Sequence, residues 1–218
     1  DTGTGSILIE NNTVTYAGSV GIKLLNSTGV VASHNNSHDN GYHGISLAGS
    51  NNNQIIGNTS YANFNIKVPS ANGLDVNGAS SDNVITGNTY YGNEDSGMQI
   101  YNGSQRNLVG RNVSRNNGDH GFDTNQATDT TYISNTSYGN RKDGFSVEGN
   151  SFNTTLINNI AVDNGLTTSE FDLYVDPNSA TTGLSDNYNI FWNSAPGTPI
   201  KVNLVWYPTL ADYAAATS

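Results

Sequence analysis

The stretch from Asn116 to Asp129 reads NNGDHGFDTNQATD and places an imidazole, an aromatic ring and a carboxylate within a few residues of each other. His120 can accept or release a proton near neutral pH, and the carboxylate of Asp123 could orient its imidazole. These residue types are suited to acid–base catalysis. The alternative is that His120 is a turn residue, either exposed to solvent or packed on Phe122.

Acidic side chains recur in consecutive turns of the chain, at Glu94, Asp95, Asp119 and Asp143. Ca²⁺ prefers oxygen ligands and takes about six to eight of them. The four residues therefore predict a calcium site, although no Asp-x-Asp-x-Asp loop accompanies them. The alternative is a set of solvated turns in which Asp119 pairs with Lys142, an interaction worth under about 1 kcal/mol when it is exposed.

The composition indicates an ordered fold that buries few apolar side chains. Hydrophobic residues make up 34% of the 218 residues and charged residues 12%, whereas disordered chains usually carry more charge. The absence of cysteine excludes disulfides and thiol chemistry. No run of about 18 apolar residues occurs, so we expect no membrane span. The net charge of -10 disfavours nucleic acid as a partner, because phosphate contacts depend on Lys and Arg.

An Asn-x4-Asn pattern repeats along the chain. The pairs are Asn35/Asn40, Asn58/Asn63, Asn88/Asn93, Asn112/Asn117, Asn135/Asn140 and Asn159/Asn164. Starting from Asn12, successive first members are 23, 23, 30, 24, 23 and 24 residues apart. After each pair a turn leads into a Gly-apolar-x-apolar segment, as in GISL from Gly44 and GFDT from Gly121. A unit of about 23 residues with this alternation cannot bury its apolar face alone, but stacked copies can.

Stacking of such units predicts an all-β chain that forms a right-handed parallel β-helix of about seven to eight coils. We expect a single domain over residues 1–218, with coils in residues 1–195 and a C-terminal cap of a strand and a short helix in residues 196–218. Equivalent residues of rungs about 4.8 Å apart form columns, so the repeated Asn side chains should form an inward ladder. Its predicted members are Asn35, Asn58, Asn88, Asn112, Asn135 and Asn159.

The 30-residue step contains an insertion, FNIKVPSAN, between Asn63 and Gly73. Equivalent turns elsewhere are shorter. Long turns of a solenoid tend to lie on the binding face. Lys67, which lies within the insertion, is therefore a candidate substrate-binding residue.

Alternation along the Gly-apolar-x-apolar strands should direct the apolar side chains inward and the side chains between them outward. The first outward column contains Lys23, Ser46, Asp75, Gln99, Asp123 and Ser146, and the second contains Leu25, Ala48, Asn77, Tyr101, Asn125 and Glu148. The middle rungs carry most of the polar groups, which predicts a groove that binds sugar. We expect His120 and Asp123 at exposed positions, where a substitution usually costs within about 0.5 kcal/mol.

The segment His120–Asn150, HGFDTNQATDTTYISNTSYGNRKDGFSVEGN, resembles the catalytic rungs of the alginate (mannuronan) epimerases. Those enzymes are parallel β-helices with a Tyr-Gly-Phe-Asp-Pro-His motif and, one rung later, Asp-Gly-Phe followed by a further Asp. In the match, His120 takes the place of the family Tyr and Asp123 that of its Asp. Asn125 replaces the family His, and Glu148 replaces the later Asp. The turn NEDSG is similar to a stretch of the family 9 pectate lyases, which use a Lys base and Asp-bound Ca²⁺.

The resemblance implies an enzyme that modifies a uronic-acid polymer of the alginate or pectin type, as a lyase or an epimerase. Both reactions begin with abstraction of the proton α to the sugar carboxylate. His120 would be the base and Tyr101 the acid, with Asp123 orienting them. An amide of Gln99 or Asn125, or a Ca²⁺ ion, would neutralise the sugar carboxylate. The candidate catalytic residues are His120, Asp123, Tyr101 and Glu148, and the candidate substrate-binding residues are Asp75, Asn77, Gln99, Asn125, Lys142 and Lys67.

Two other classes of function are compatible with the same columns. Asp123 and Glu148 would be diagonal neighbours about 7–8 Å apart, a separation typical of inverting glycoside hydrolases. Asp75 and Asp123 would be roughly 10 Å apart, just beyond that range. The third class is a non-catalytic β-helix that binds carbohydrate or serves as a surface structure. In each case we expect a monomer that is secreted or located on the cell surface and contacts a polysaccharide.

Overall fold

The computed structural model describes residues 7–195 and 199–217, which form a right-handed parallel β-helix. Each full coil contributes one short strand to each of three sheets. Within the described residues, the first and second sheets have eight strands each and the third has nine. The predicted all-β class and the predicted number of coils are confirmed.

The repeating unit consists of three strands, and two short helices lie in the C-terminal part of the chain. The first sheet contains β1 (Ile7–Glu10), β4 (Val30–Ser33), β7 (Gln54–Ile56), β10 (Val84–Thr86), β13 (Leu108–Gly110), β16 (Thr131–Ile133), β19 (Thr155–Ile157) and β22 (Ser185–Asn187). The second contains β2 (Thr13–Thr15), β5 (Asn36–His38), β8 (Thr59–Tyr61), β11 (Thr89–Tyr91), β14 (Val113–Arg115), β17 (Thr136–Tyr138), β20 (Ile160–Val162) and β23 (Ile190–Trp192). The third contains β3 (Ile22–Leu25), β6 (Ile45–Ala48), β9 (Leu74–Asn77), β12 (Met98–Tyr101), β15 (Phe122–Asn125), β18 (Phe145–Glu148), β21 (Leu173–Val175), β24 (Ile200–Val202) and β25 (Val205–Tyr207). The helices are α1 (Pro177–Ala180) and α2 (Leu210–Thr217).

The corner between the first and second sheets is made by one residue in the left-handed backbone region. Two coils place Gly57 and Gly87 there, with φ values of 63° and 68°. Arg111 and Ser134 adopt the same conformation, with φ values of 56° and 57°. A single residue of this kind turns the chain sharply, which limits the preceding strand to a few residues. In each of these coils the next residue is an Asn of the predicted ladder, such as Asn112 after Arg111.

The predicted Asn ladder is confirmed, and all six members are at most 1% exposed. Asn112 shows how each amide is satisfied. Its Oδ1 accepts from the backbone N–H of Asn88 at 2.8 Å and from the Asn88 Nδ2 at 2.9 Å. Its Nδ2 donates to Asn135 Oδ1 at 3.0 Å and to the carbonyl of Ile85 at 3.0 Å. The ladder therefore extends the hydrogen bonding of the parallel sheets through the corner, where a buried amide without partners would be costly.

A second ladder, which is not predicted above, is formed by the second Asn of each repeat. Its members are Asn40, Asn63, Asn93, Asn117, Asn140 and Asn164, joined by amide-to-amide hydrogen bonds. It ends where Asn164 Nδ2 donates to Asp172 Oδ1 at 2.8 Å. A shorter third ladder runs from Asn53 through Asn83 to Asn107. Two corners of the coil are thus held by amide columns along most of the solenoid.

A glycine precedes six strands of the third sheet, β3, β6, β9, β12, β15 and β18, and it is required by a close approach. A Cβ atom on Gly121 would lie 2.0 Å from Ser137 Oγ and 2.8 Å from Asn140 Nδ2. A Cβ atom on Gly97 would lie 1.9 Å from Ser114 Oγ. The Gly-apolar motif therefore exists because the third sheet starts directly against the second sheet and the second Asn ladder, where no side chain fits.

The interior of the helix is filled by the inward side chains of the three sheets. Phe122 stacks on Phe145 with ring centroids 5.0 Å apart. At the C-terminal end, α2 inserts Tyr213, whose hydroxyl donates to Asp186 and whose ring packs on Tyr207 at 5.1 Å. The helix covers the last coil, as predicted. No helix in the described part of the chain is long and apolar enough to cross a membrane.

The C-terminal strands differ from a simple cap. β24 pairs in parallel with β21 and adds one more rung to the third sheet, and β25 then folds back antiparallel to β24. The predicted cap begins at residue 196, but residues 196–198 lie outside the described residues. The turn after β21 contains α1, which the sequence pattern does not predict. Asp176 caps this helix by accepting the N–H of Ser179 at 2.6 Å.

Candidate functional site

The outward side chains of the third sheet form one continuous column. Its members pair rung to rung and are Lys23, Ser46, Asp75, Gln99, Asp123, Ser146, Tyr174, Lys201 and Trp206. The predicted alternation is confirmed, because Phe122 and Thr124 on either side of Asp123 are fully buried. The structure extends the predicted column by three residues at its C-terminal end.

Several of these outward groups are buried, contrary to expectation. Asp75 is 0% exposed, Asp123 is 3% exposed, and His120 in the preceding turn is 8% exposed. Side chains of rungs about 4.8 Å away and of the preceding turns cover them. The expectation that substitutions here cost little is therefore wrong, because leaving a buried polar partner unpaired costs about 1–3 kcal/mol.

His120 lies directly before Gly121, among three carboxylates. Its Nδ1 is 3.2 Å from Asp143 Oδ2, and its Nε2 is 3.7 Å from Asp119 Oδ1. Burial by itself lowers the pKa of His120, but the hydrogen bond with Asp143 and the charges of Asp123, Asp119 and Asp143 outweigh it and raise the pKa to about 9. The imidazole is therefore protonated at neutral pH.

The Nδ1 atom of His120 has a partner in either protonation state. The backbone N–H of Asp143 points at Nδ1 from 3.2 Å, a contact that requires an unprotonated nitrogen. The Asp143 carboxylate at 3.2 Å requires a proton on the same nitrogen, and the raised pKa favours this state at neutral pH. A protonated imidazole is an acid, so His120 is suited to donate a proton or to neutralise an anion rather than to act as the base.

His43 occupies the equivalent position in an earlier coil, directly before Gly44. Its Nδ1 accepts the backbone N–H of Asn72 at 3.1 Å, and its Nε2 is 3.6 Å from Asp75 Oδ2. Burial and the positive charge of Lys23 lower the pKa of His43 to about 4, so this imidazole is neutral. His43 is not among the predicted site residues, although the repeated His-Gly-apolar triplet could have indicated it.

Two of the candidate binding amides are positioned by candidate catalytic acids. Gln99 Nε2 donates to Asp123 Oδ2 at 2.6 Å, and Asn125 Nδ2 donates to Glu148 Oε1 at 3.2 Å. Both amides are half-buried and reach the surface, whereas Asp123 lies beneath them. The structure therefore brings these four residues together, with Asp123 in a positioning role.

Asp75 and Tyr101 form a neighbouring part of the site. Burial raises the pKa of Asp75 to about 6, although hydrogen bonds from Asn77 and Ser46 oppose this shift. The Asp75 Oδ1 atom is buried without a hydrogen-bond partner. Burial and the negative charge of Asp75 raise the pKa of Tyr101. Its hydroxyl therefore stays protonated, as the predicted acid role requires.

Asp95 and Asp119 interact across adjacent turns beside His120. Burial and the charge of Asp119 raise the pKa of Asp95 to about 7. Lys142 Nζ contacts Asp119 Oδ1 at 2.8 Å, which confirms the predicted ion pair. Asp95 is half-buried, so its carboxyl group remains accessible and exchanges protons near neutral pH.

The predicted calcium ligands are engaged by other groups of the protein. Glu94 accepts the backbone N–H of Asn65 at 2.8 Å, and Asp143 accepts that of Phe171 at 2.8 Å. The described part of the chain contains no group of three or more His, Cys, Asp or Glu residues that could hold a metal ion. These carboxylates thus form no recognised metal-ligand cluster within the described residues, and Ca²⁺ binding by the four stays a prediction. We assign no step of the reaction to Ca²⁺.

Lys67 lies away from the column, on the loop formed by the insertion. Residues 64–72 form neither a strand nor a helix, and Lys67 is exposed. The loop is tied to the next coil through the Asp95 N–H, which donates to the Ala71 carbonyl at 3.1 Å. The insertion therefore borders the turn that carries Asp95, and Lys67 stays a predicted binding residue.

The charge states of the site predict that the protein loses thermal stability as the pH rises from 6.5 to 9.5. The folded-state pKa of His120, about 9, lies above its ordinary value of 6.5, so its contribution is complete below pH 6.5 and is lost as the pH passes 9. Asp95 and Asp172, with pKa values of about 7 instead of 3.8, lose stabilisation in the lower part of this window. Melting curves across the range, with His resonances followed by NMR, would test this.

The same experiment compares the titrations of the two buried histidines, His43 and His120. His43 should titrate near pH 4 and His120 near pH 9. Because the lowered pKa of His43 costs stability only below pH 6.5, it does not contribute above that value. A single shared pKa near 6.5 for both residues would contradict the electrostatic description of the site.

Two alginate epimerases and a pectate lyase are among the solved structures that have a similar fold. A mutant of the periplasmic alginate epimerase AlgG matches with a TM-score of 0.71 and 17% identity, covering 85% of this chain and 45% of its own. The A-module of the Azotobacter vinelandii mannuronan C-5 epimerase AlgE4 matches with a TM-score of 0.71 and 18% identity, covering 96% and 65%. Pectate lyase Pel9A matches with a TM-score of 0.56 and 18% identity, covering 81% and 51%. The chain thus spans between 45% and 65% of these proteins, and at such identities the likeness shows the fold.

These structures agree with the resemblance drawn from the sequence. A sequence search of curated proteins finds no match. The description "Right handed beta helix region" fits two overlapping segments, residues 2–104 and 63–182. They span most of the chain and coincide with the coils of the three sheets. On this evidence, the chain belongs to the right-handed beta helix region family.

Proposed function

We propose that the protein acts on a uronic-acid polymer of the alginate or pectin type and removes the proton at C5, as a lyase or an epimerase. The observation that carries the proposal is a protonated imidazole, His120, beside an accessible carboxyl group with a pKa near neutral, Asp95. Neighbouring groups whose pKa values are pushed apart supply the acid and the base of a proton transfer. The similar folds of two alginate epimerases and a pectate lyase support the substrate class.

In this reaction the carboxylate of Asp95 takes the C5 proton, and the electron pair of the C–H bond moves into the sugar carboxylate. The positive charges of His120 and Lys142 stabilise the negative charge that develops there. In a lyase the C4–O bond then breaks, and Tyr101 donates its proton to the leaving oxygen. In an epimerase Tyr101 returns a proton to C5 from the opposite face. Asp123 holds the flanking amide and the imidazolium in place.

A glycoside hydrolase is the second candidate, because carboxylates outnumber cations around His120. Asp123 and Glu148 are diagonal neighbours on paired strands, about 7–8 Å apart, and burial raises the pKa of both. This separation is typical of inverting enzymes. Asp123 is only 3% exposed, however, and one of its oxygens binds Gln99. This burial favours the proton-abstraction chemistry over hydrolysis.

The proposed substrate also supports a location for the protein. Polymers of uronic acids are encountered outside the cytoplasm, and one of the similar structures is described as periplasmic. We therefore propose that the protein is secreted or located at the cell surface and acts as a monomer on a long polysaccharide chain.

Incubation with alginate and with polygalacturonate in deuterated water would test the proposed function. A lyase produces chains with unsaturated ends, detected by ultraviolet absorbance, and an epimerase introduces deuterium at C5 without cleavage, detected by NMR. New reducing ends without either signal would show a hydrolase. Binding of the polymers without any reaction would show a non-catalytic protein. Either of the last two outcomes, from a protein shown to be folded by circular dichroism, would overturn the proposal.

A further inference from the structure

The C-terminal end of the outward column is an aromatic cluster around one lysine. Lys201 Nζ lies 5.4 Å from the ring centroid of Phe171, 5.4 Å from that of Tyr174 and 5.5 Å from that of Trp206. The reversal of the chain between β24 and β25 creates this arrangement, because it pairs Trp206 with Lys201. The ammonium group is thereby held at nearly the same distance from three rings.

The lysine of this cluster is in ion-pair contact with no carboxylate of the described residues, although its charge opposes the rise in pKa that burial causes at the nearby Glu170. Lys201 forms no salt bridge within residues 7–195 and 199–217, whereas Lys142 and Arg106 do. Aromatic rings attract the charge of an ammonium group but leave its three N–H donors available. The chain has a net charge of -10. Within it, Lys201 is a cation held among aromatic rings, and its N–H donors form no salt bridge in the described part of the chain.

The cluster presents an open aromatic surface beside this charge. Phe171 is buried at 5% exposed and forms the base, whereas Trp206 is 60% exposed and Tyr174 is half-buried. Trp206 meets Phe171 edge to face at 5.8 Å. An exposed indole next to a cation combines an apolar surface for a sugar ring with a donor for a carboxylate.

The cluster is continuous with the proposed catalytic site. Asp123, Ser146, Tyr174 and Lys201 are direct partners on successive strands. Lys201 is therefore three rungs from Asp123, roughly 14 Å at the usual strand spacing. A polysaccharide that lies along the column and reacts beside His120 would extend over this cluster.

From this geometry we propose that Lys201, Trp206 and Tyr174 form a separate subsite for an acidic sugar residue of the polymer. Lys201 binds the sugar carboxylate, and the indole of Trp206 packs against the apolar face of the pyranose ring. This inference rests on the proposed substrate class, but it concerns binding and not proton transfer. It makes the end of the column a determinant of specificity for charged over neutral polysaccharides.

Tryptophan fluorescence offers a direct test, because the chain has two Trp residues. Trp192→Phe leaves Trp206 as the single reporter, and this protein is titrated with oligogalacturonate, with oligomannuronate and with the neutral methyl ester of each. We expect a saturable signal for at least one acidic oligomer and a much weaker one for its ester. Lys201→Gln in this background should weaken acidic binding by about 10- to 100-fold, and Lys201→Arg should retain it.

Lys23→Gln is the matched control, because Lys23 is an exposed cation in the same column at the opposite end. It should leave binding unchanged. Equal affinities for Lys201→Gln and Lys23→Gln, or equal losses for Lys201→Gln and Lys201→Arg, would overturn the subsite. Binding through Trp206 without C5 exchange or cleavage would support the subsite and overturn the proposed reaction. C5 exchange or cleavage with no Trp206 response to any oligomer would support the proposed reaction and overturn the subsite.

Discussion

Replacing His120 by Asn should lower turnover on the uronic-acid polymer by about 10²- to 10³-fold, while the protein still folds. The loss is expected because the variant removes the imidazolium that opposes the developing negative charge of the sugar. The fold should survive because Asn72 already occupies the equivalent position of another coil. Its Oδ1 accepts the backbone N–H of Ser96 at 3.0 Å, and an Asn at position 120 can accept that of Asp143 in the same way.

His43→Asn is the matched control for this experiment. His43 is also buried at the equivalent position, but it is neutral, and its Nδ1 accepts a backbone N–H of the next rung. Initial rates and melting curves are measured for both variants on a polymer that the parent converts. A cooperative melting transition in both variants, with a large loss of rate in His120→Asn alone, would support the proposed role. Equal rates in the two variants would contradict it.

The pH profile gives a second readout of the same prediction. The parent rate should fall as the pH rises through about 9, where His120 loses its proton. His120→Asn should keep its residual activity through that range. If both proteins lose activity in parallel, the alkaline decrease belongs to another group.

Replacing Asn112 by Ala should destabilise the protein by about 3–5 kcal/mol. The substitution removes four buried hydrogen bonds in the middle of the first ladder. The backbone and side-chain N–H groups of Asn88 and the Ile85 carbonyl lose their Asn112 partner, and each buried polar group left unpaired costs about 1–3 kcal/mol. The free energy of unfolding in urea measures the effect.

Asn12→Ala is the control at the exposed end of the same ladder. Asn12 Nδ2 donates to Asn35 at 2.9 Å, but this side chain lies at the surface, where water replaces the lost bond. We expect a cost of under about 1 kcal/mol there. Equal costs for Asn12→Ala and Asn112→Ala would show that ladder burial does not stabilise the helix.

The sequence by itself determined the architecture of this protein, because the architecture depends on periodicity. When a unit of about 23 residues repeats and each copy must bury its apolar face, the stacking order follows and equivalent residues form columns. The ladder through Asn112 and the column through Asp123 follow from this register. The glycine before six strands of the third sheet is also a repeated feature of the sequence, although its cause is a close approach in the fold, such as that of Ser137 to Gly121.

The charge states of the site were decided by the tertiary structure. His43 and His120 both precede a glycine, and in both the Nδ1 atom lies close to a backbone N–H of the next rung. One has a pKa of about 4 and the other of about 9. The difference arises because burial, together with the charge of Lys23, lowers the pKa of His43, whereas three carboxylates outweigh the effect of burial at His120. Those neighbours belong to other turns and rungs, and their effect depends on burial, which a single strand pattern does not specify.

The sequence pattern also did not specify which outward side chains are accessible to solvent. Alternation indicated correctly that Asp123 points away from the core, but only packing between adjacent rungs and turns decided that it is covered. The internal partners of the predicted calcium ligands were not visible in the sequence for a similar reason, since Asp143 accepts the backbone N–H of Phe171 from a later turn. The cluster at Lys201 depends on the antiparallel return of β25, which lies outside the repeat. Register follows from local periodicity, whereas charge, burial and partner choice follow from contacts between segments that are distant in the chain.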